Sequence, residues 1–322
     1  MPKITVDQQC YETEIGETVL QCLERNNVAP SSSCRSGICQ TCMMRALQGS
    51  PPAMSQQGLK ENLQLKNYFL PCVCVPDGDM AITYADEVSA PKTTVTLIEK
   101  DLLSPVIMRV RFTTQNDFSY QAGQFINMFK EDGISRPYSL ASVPGVDDYL
   151  EFHIERIPNG VMSNWVFDEL AIGNTVKISE ANGECYYSRA YNTKNMLLIA
   201  TGSGLAPVYA VLRDAIENEH MGEIHLYHGS GQRDKLYLVE ELKSLANQHD
   251  NVFYTPSLSS ESCENIESGR ANDLALASHK NLKDWRIYLC GNPRMVSDTK
   301  RKAFLAGAAL NDILADPFEF AK

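Results

Sequence analysis

The chain has 322 residues, too many for one ordinary hydrophobic core, and its length alone predicts two or three domains. With 43% hydrophobic and 21% charged residues it has the composition of a folded globular protein, and no apolar run approaches the roughly 20 residues that span a bilayer. A formal net charge of -11, from 29 basic against 40 acidic residues, repels phosphate backbones and argues against nucleic acid as the main partner, while leaving room for a protein with a basic dock. The N-terminus, MPKITVDQQC, lacks the charged head, apolar core and small-residue cleavage site of a secretion signal, so a cytoplasmic location is expected.

Residues 1 to about 88 read as a first module. A short strand, Lys3 to Val6, and a second reaching the turn at Gly16 precede a helix over Glu17 to Asn26, where Val19, Leu20 and Leu23 fall at helical spacing. Pro30 and a serine run lead into SCRSGICQTC, Ser33 to Cys42. A strand through Met43, Arg45 and Leu47 follows, then a Gly-Ser-Pro-Pro turn, a polar stretch, a strand from Tyr68 to Val75 and a closing strand from Met80 to Tyr84. Cys34, Cys39 and Cys42 are spaced C-x4-C-x2-C and Cys72 stands thirty positions on, the asymmetric ligand set of a plant-type [2Fe-2S] cluster. In that geometry Cys34 and Cys39 bind one iron and Cys42 and Cys72 the other, while Arg35, Ser36 and Gly37 turn N–H groups toward sulfur. A structural zinc site normally shows two C-x2-C pairs, and disulfides need an oxidising compartment, so the cluster reading wins. Cys10, Cys22, Cys74, Cys185 and Cys263 fit no ligand spacing and read as small buried hydrophobes or ordinary thiols.

Ala85 to Thr93 has charge, small residues and a proline without periodicity, and reads as a linker. From Val95 a second module begins. Val106, Met108, Val110 and Phe112 alternate with Ile107, Arg109 and Arg111, as Leu150, Phe152 and Ile154 do with Glu151, His153 and Glu155, which predicts strands of an antiparallel barrel. Here Arg136-Pro137-Tyr138-Ser139 follows a strand, Gln124 to Phe129, and Gly160-Val161-Met162-Ser163 precedes a helical stretch, Asn164 to Leu170. A guanidinium together with helix N-terminal amides suits a pyrophosphate. From about Asn192 the texture changes to buried strands, Met196 to Ala200 and Ile287 to Cys290, alternating with helices over Val208 to Asn218 and Glu240 to Asn247, which implies a parallel sheet covered on both faces. Its first strand runs into Thr201-Gly202-Ser203-Gly204-Leu205-Ala206-Pro207, where glycines let phosphate approach backbone amides; Cys290-Gly291-Asn292-Pro293 ends a second strand. His225 and His228 read as packing or surface residues.

These motifs carry a resemblance. The first module resembles a plant-type ferredoxin; R-x-Y-S and G-x-x-S resemble the flavin signatures of the ferredoxin-NADP reductase superfamily, and G-x-G-x-x-P with C-G-x-P its pyridine-nucleotide motifs. In this order they resemble the one-component reductases of bacterial oxygenase systems over nearly the whole chain. The resemblance implies a multidomain α+β and α/β fold: a β-grasp ferredoxin domain at 1–88, an antiparallel β-barrel flavin domain at 93–191 and a parallel-sheet α/β nucleotide-binding domain at 192–322. It implies three cofactors: a [2Fe-2S] cluster on Cys34, Cys39, Cys42 and Cys72, FAD, and NADH. Arg136 and the Gly160 to Ser163 turn would hold the flavin diphosphate, with Pro137 between them and Tyr138 packing on the isoalloxazine. Ser139 near N5 and Cys290 beside the nicotinamide would act in catalysis, and His153 joins the cofactor-binding set. Gly202 through Pro207, with Gly291 and Pro293, would bind the nucleotide. Phe318 or Phe320 would replace the tyrosine that ends plant-type reductases. The implied activity is oxidation of NADH, with electrons passed singly to an oxygenase component. CDP-6-deoxyglucoseen reductases share the module order, and a non-enzymatic redox-sensing iron-sulfur protein is a third class, against which the complete nucleotide motifs argue. The second strand of the nucleotide domain, Ile224 to His228, ends in Gly229-Ser230-Gly231-Gln232-Arg233-Asp234. With Gly231 where a phosphate-binding arginine is expected, and only Ser230 and Arg233 to meet a 2′-phosphate, NADH is expected over NADPH.

Overall fold

The computed structural model describes residues 1–30, 32, 35, 37, 42–59, 61–84, 93–114 and 117–318, and the chain forms two compact units, Met1–Ala90 and Pro91–Lys322. Cys34, Cys39, Ser36, Phe320 and the expected linker short of Thr93 lie outside the described residues.

In the first unit β1 (Lys3–Val6), β2 (Gln9–Glu12), β3 (Met44–Gln48), β4 (Tyr68–Phe69) and β5 (Met80–Tyr84) form a sheet in the order β2-β1-β5-β3-β4. β1 and β5 run parallel and the other neighbours antiparallel. α1 (Val19–Arg25) opens on a capping box: the Gln21 amide donates to Thr18 Oγ1 at 3.2 Å and the Thr18 amide to Gln21 Oε1 at 2.9 Å. The helix buries Val19 and Leu23 against Ile4, Val6, Met44 and Ile82. A short helix, α2 (Glu61–Leu65), precedes β4. The strand expected over Tyr68 to Val75 stops at Phe69, because Pro71 cannot donate to a ladder and instead opens a 3₁₀ turn, Pro71–Val73, that carries Cys72.

The second unit begins with β6 (Thr93–Ser104), β7 (Ile107–Thr114), β8 (Phe125–Phe129), β9 (Ser135–Ser139), β10 (Leu150–Glu155) and β11 (Thr175–Ile178), paired antiparallel in the order β10-β7-β6-β11-β8-β9. A bridge between Leu140 and Phe152 ties β9 back to β10, with the Ala141 amide donating to the Glu151 carbonyl at 2.8 Å, and closes the barrel. Inward residues such as Val110, Phe112, Met128, Phe152 and Ile154 fill it, and α3 (Val161–Asp168) adds Met162 and Val166.

The same unit continues with β12 (Met196–Thr201), α4 (Leu205–Glu217), β13 (Ile224–Ser230), α5 (Val239–Gln248), β14 (Val252–Leu258), β15 (Glu267–Ser268), α6 (Ala271–Ser278), β16 (Arg286–Gly291), α7 (Pro293–Leu305) and β17 (Ile313–Pro317). The sheet is parallel, ordered β15-β14-β13-β12-β16-β17. Its central strand shows why both faces are apolar: Met196, Leu198 and Ala200 pack with Val208, Val211 and Leu212 of α4, whereas Leu197 and Ile199 pack with Ala275, Val296 and Ala303 of α6 and α7. Barrel residues Ile107, Ala141, Cys185 and Tyr187 join the first of these clusters. No helix among the described residues is long and apolar enough to cross a membrane.

Phe152 is fully buried and meets Phe112 edge to face at 6.0 Å between centroids. Phe152→Ala is expected to destabilise the barrel by about 3–5 kcal/mol. Denaturant unfolding followed by near-UV dichroism measures this, and a loss under about 1 kcal/mol would mean that the barrel interior collapses onto the cavity.

Candidate functional site

In the first unit, Cys42 and Cys72 are both buried and their thiols face each other within hydrogen-bonding reach. Gly37 has φ 77° and Arg35 φ 53°, both in the left-handed region; a Cβ on Gly37 would stand 3.3 Å from Val73, next to Cys72. Cys74 belongs to the apolar core, where burial pushes its thiol up to about 12. A facing pair of buried thiols fits half of a cluster's ligand set.

In the second unit, β9 presents the RPYS motif at the barrel's edge. Arg136 is exposed, donates to the Ser135 carbonyl at 2.7 Å and makes no ion pair among the described residues. Tyr138 packs half-buried on the barrel core, and burial raises its hydroxyl pKa. Met162, just inside α3, enters that same core, which brings the two flavin-type motifs together. Gly160 precedes α3, and a Cβ there would lie 2.5 Å from Ser163 Oγ, the oxygen that accepts from the Ile157 amide at 3.1 Å. Ser163 thus fastens the turn, and the first amides of α3 have no partner within the helix. Val161 is exposed. An unpaired guanidinium, an aromatic face and free helix amides fit a flavin diphosphate.

His153 is buried, 2.9 Å from Glu151 Oε1 through Nε2 and 3.3 Å from the Tyr237 hydroxyl through Nδ1. Both ring nitrogens are engaged inside the protein, which leaves only its backbone for a cofactor.

The nucleotide-type motifs meet at the carboxyl edge of the parallel sheet. Gly202–Gly204 forms a single 3₁₀ turn between β12 and α4, and Leu205, Ala206 and Pro207 are buried in the first turn of α4. A Cβ on Gly204 would lie 2.5 Å from the Cys290 carbonyl, and one on Gly291, whose φ is 116°, would lie 2.3 Å from the Thr201 carbonyl. Pro293 starts α7, and Asn292 caps it by accepting from the Arg294 and Met295 amides at 3.0 and 3.2 Å. A cleft of about 680 Å³ opens here, lined by Glu155, Gly202, Ser203, Ser230, Gly291 and Phe318 among others. Of the two expected aromatic lids, Phe318 reaches the cleft, and its amide donates to the Gly291 carbonyl at 2.9 Å. Arg233 is exposed; the cations that line the cleft among the described residues are Lys235, Arg270 and Arg294.

Cys290 is fully buried, and its Sγ lies 3.3 Å from that of Cys185. Burial and this second thiol hold Cys290 well above the ordinary thiol range, in its protonated form. Opposite Cys290, in register on β17, stands Asp316, whose Oδ2 accepts from Ser139 Oγ at 3.3 Å. Burial pushes the Asp316 carboxyl up to about 6. Sequence reading missed Asp316, Glu155, Lys235, Arg270 and the role of Cys185 as a neighbour, because each reaches the site from a segment without a motif of its own. The near-terminal Asp-Pro-Phe run was the one usable signal.

Raised above its unfolded value, the Asp316 pKa means that the native state holds a proton that the unfolded chain has released between about pH 4 and about pH 6. Stability is therefore expected to fall by up to about 3 kcal/mol as pH rises through that window. Asp316→Asn should remove this fall, as read from thermal unfolding at a series of pH values; an unchanged profile would show that Asp316 is not the titrating group.

A barrel serine bonded to a carboxylate of the parallel sheet, next to a buried thiol and glycine turns, is an arrangement that suits a pyridine-nucleotide-linked flavin oxidoreductase. Residues 4–77 match the 2Fe-2S iron-sulfur cluster binding domain family, residues 94–187 the oxidoreductase FAD-binding domain family and residues 198–301 the oxidoreductase NAD-binding domain family. The chain is 34% identical to the ferredoxin–NAD(P)+ reductase component of the naphthalene 1,2-dioxygenase system of Pseudomonas putida over 313 residues, 94% of each chain. It is 26% identical to a CDP-6-deoxy-L-threo-D-glycero-4-hexulose-3-dehydrase reductase of Yersinia pestis, over 94% of this chain and 93% of the relative. The crystal structure of a cytochrome P450 reductase from Amycolatopsis superposes with a TM-score of 0.68 at 26% identity, covering 99% of both chains. The chain belongs to the ferredoxin-NADP reductase-type reductase components of oxygenase systems that carry an N-terminal [2Fe-2S] domain, and it is an oxidoreductase.

Proposed function

We propose that this protein takes electrons from NADH and delivers them one at a time to the oxygenase component of a cytoplasmic oxygenase system. The observation that carries this reading is the shared edge, where Ser139 of the barrel bonds to Asp316 of the parallel sheet, in register with Cys290, whose neighbour Gly291 lines the glycine-rich cleft. Bound FAD supplies hydride acceptance and single-electron release, and the cluster single-electron carriage. The domains fall at 1–88, 93–191 and 192–322, in keeping with the family matches. Within them, Cys34, Cys39, Cys42 and Cys72 ligate iron. Arg136 and the amides from Gly160 to Ser163 hold the flavin diphosphate, Tyr138 lies against the ring system, and Phe318 covers it. The Gly202 to Pro207 turn, with Gly291 and Pro293, seats the nucleotide diphosphate. Ser139 orients the reacting edge, and Asp316 Oδ2, with its carboxyl near neutrality, exchanges a proton through Ser139 Oγ. The buried, protonated Cys290 packs against the reacting edge and excludes water. The dehydrase reductase reading has less support, since the relative so named is 26% identical against 34% for the dioxygenase reductase.

Cys72→Ser is expected to abolish the cluster while leaving flavin reduction by NADH, because the cysteines and the flavin edge lie in separate compact units. NADH-driven reduction of cytochrome c should then stop while NADH still bleaches the flavin at 450 nm; loss of the flavin as well would overturn this modular assignment.

The nucleotide's 2′ position is met by Ser230 and Gly231 on the rim, with no arginine at the latter. NADH is expected to be favoured over NADPH by at least about tenfold in kcat/KM, or about 1.4 kcal/mol. Steady-state kinetics with both nucleotides check this, and an equal or reversed preference would show that Lys235 or Arg270 serves a 2′-phosphate.

A further inference from the structure

α4 has no side-chain cap and no acidic residue in its first turn, although a helix N-terminus attracts an anion. The anion comes from elsewhere. Glu155, the last residue of β10, reaches over from the barrel, and its Oε2 accepts from both the amide and the hydroxyl of Ser203 at 3.3 Å. The same oxygen would lie 2.7 Å from a Cβ on Gly202, so the carboxylate fills the space in front of the turn. Glu155 is half-buried, lines the nucleotide cleft and makes no ion pair among the described residues. Its neighbour Arg156 does not neutralise it, being committed to Asp168 at 2.6 Å and Asn164 at 3.1 Å.

We propose that Glu155 is a built-in stand-in for the nucleotide's diphosphate, holding the anion-binding amide of Ser203 until the dinucleotide displaces it. The inference rests on the nucleotide-site reading above and adds a determinant of ligand affinity. Two anions cannot share one amide a few ångströms apart without strong repulsion, so occupancy by Glu155 and by phosphate is exclusive. Every phosphate-bearing ligand therefore binds against a competitor tethered at high effective concentration, whereas a ligand without phosphate does not meet it. Replacing the carboxylate by an amide keeps the shape and the acceptor but removes the charge that makes the contact competitive.

The test uses the flavin-loaded, cluster-loaded protein and isothermal titration with ADP-ribose, which carries the diphosphate and no nicotinamide, and with adenosine as the phosphate-free control. Glu155→Gln should bind ADP-ribose about tenfold more tightly, equivalent to about 1.4 kcal/mol, with adenosine binding unchanged. Glu155→Asp, whose shorter side chain withdraws from Ser203, should shift affinity in the same direction by less, and it provides the readout if the glutamine variant fails to fold. Unchanged or weaker ADP-ribose binding in a folded variant overturns the inference, as does equal tightening for adenosine, which would trace the effect to cleft shape. No ADP-ribose binding by the wild type would instead sink the nucleotide-site reading itself.

Discussion

The functional edge depends on two glycines that let backbones touch. Gly204, at the start of α4, has its α-carbon where any side chain would strike the Cys290 carbonyl, and Gly291 has its own where a Cβ would strike the Thr201 carbonyl. Neither carbonyl has room to retreat, because β12 and β16 are paired in register at Ala200 and Cys290. The close approach sets the phosphate-type turn and the start of α7 side by side, so their amides open into one cleft. A single methyl at either position would pry the strand ends apart.

A second constraint keeps the barrel's edge aligned with that cleft. Arg213 of α4 grips Asp147 of the barrel with two bonds at 2.8 Å, and Asp147 in turn accepts from the Val143 amide at 2.7 Å. Deeper in, the half-buried Arg111 and the buried Glu151, His153 and Tyr237 form a chain from the barrel to the segment before α5. Burial alone would raise the Glu151 carboxyl, yet His153 and Arg111 hold it down at about 2, so the chain stays charged where it meets the barrel wall. Such buried pairs add little net stability but penalise any displacement that strips one partner away. Ser139 and Asp316 meet across the same seam, and their contact depends on this alignment.

The first unit follows a simpler logic. Its helix starts where Thr18 and Gln21 cap it, and the core closes on Phe69, Met44 and Ile82 with Cys74 packed among them. The cysteine turn rests on that core: Pro71 ends β4 and swings Cys72 toward Cys42, while Cys74 remains below as a core residue.

What the sequence determined by itself was whatever short-range spacing encodes. The C-x4-C-x2-C run, the glycines after a buried strand, the RPYS strand and the period-two and helical patterns each state a local geometry, and elements such as Met80–Tyr84 and Val239–Gln248 are legible from them. The tertiary structure alone decided which distant segments complete the site. Asp316 lies 177 residues from Ser139 and Cys185 lies 105 from Cys290, while Glu155 reaches Ser203 from another sheet. None of these pairings has a periodic signature, because strand pairing and barrel closure bring the groups together, and a carboxylate or a thiol carries no mark of its partner until the chain has folded around it.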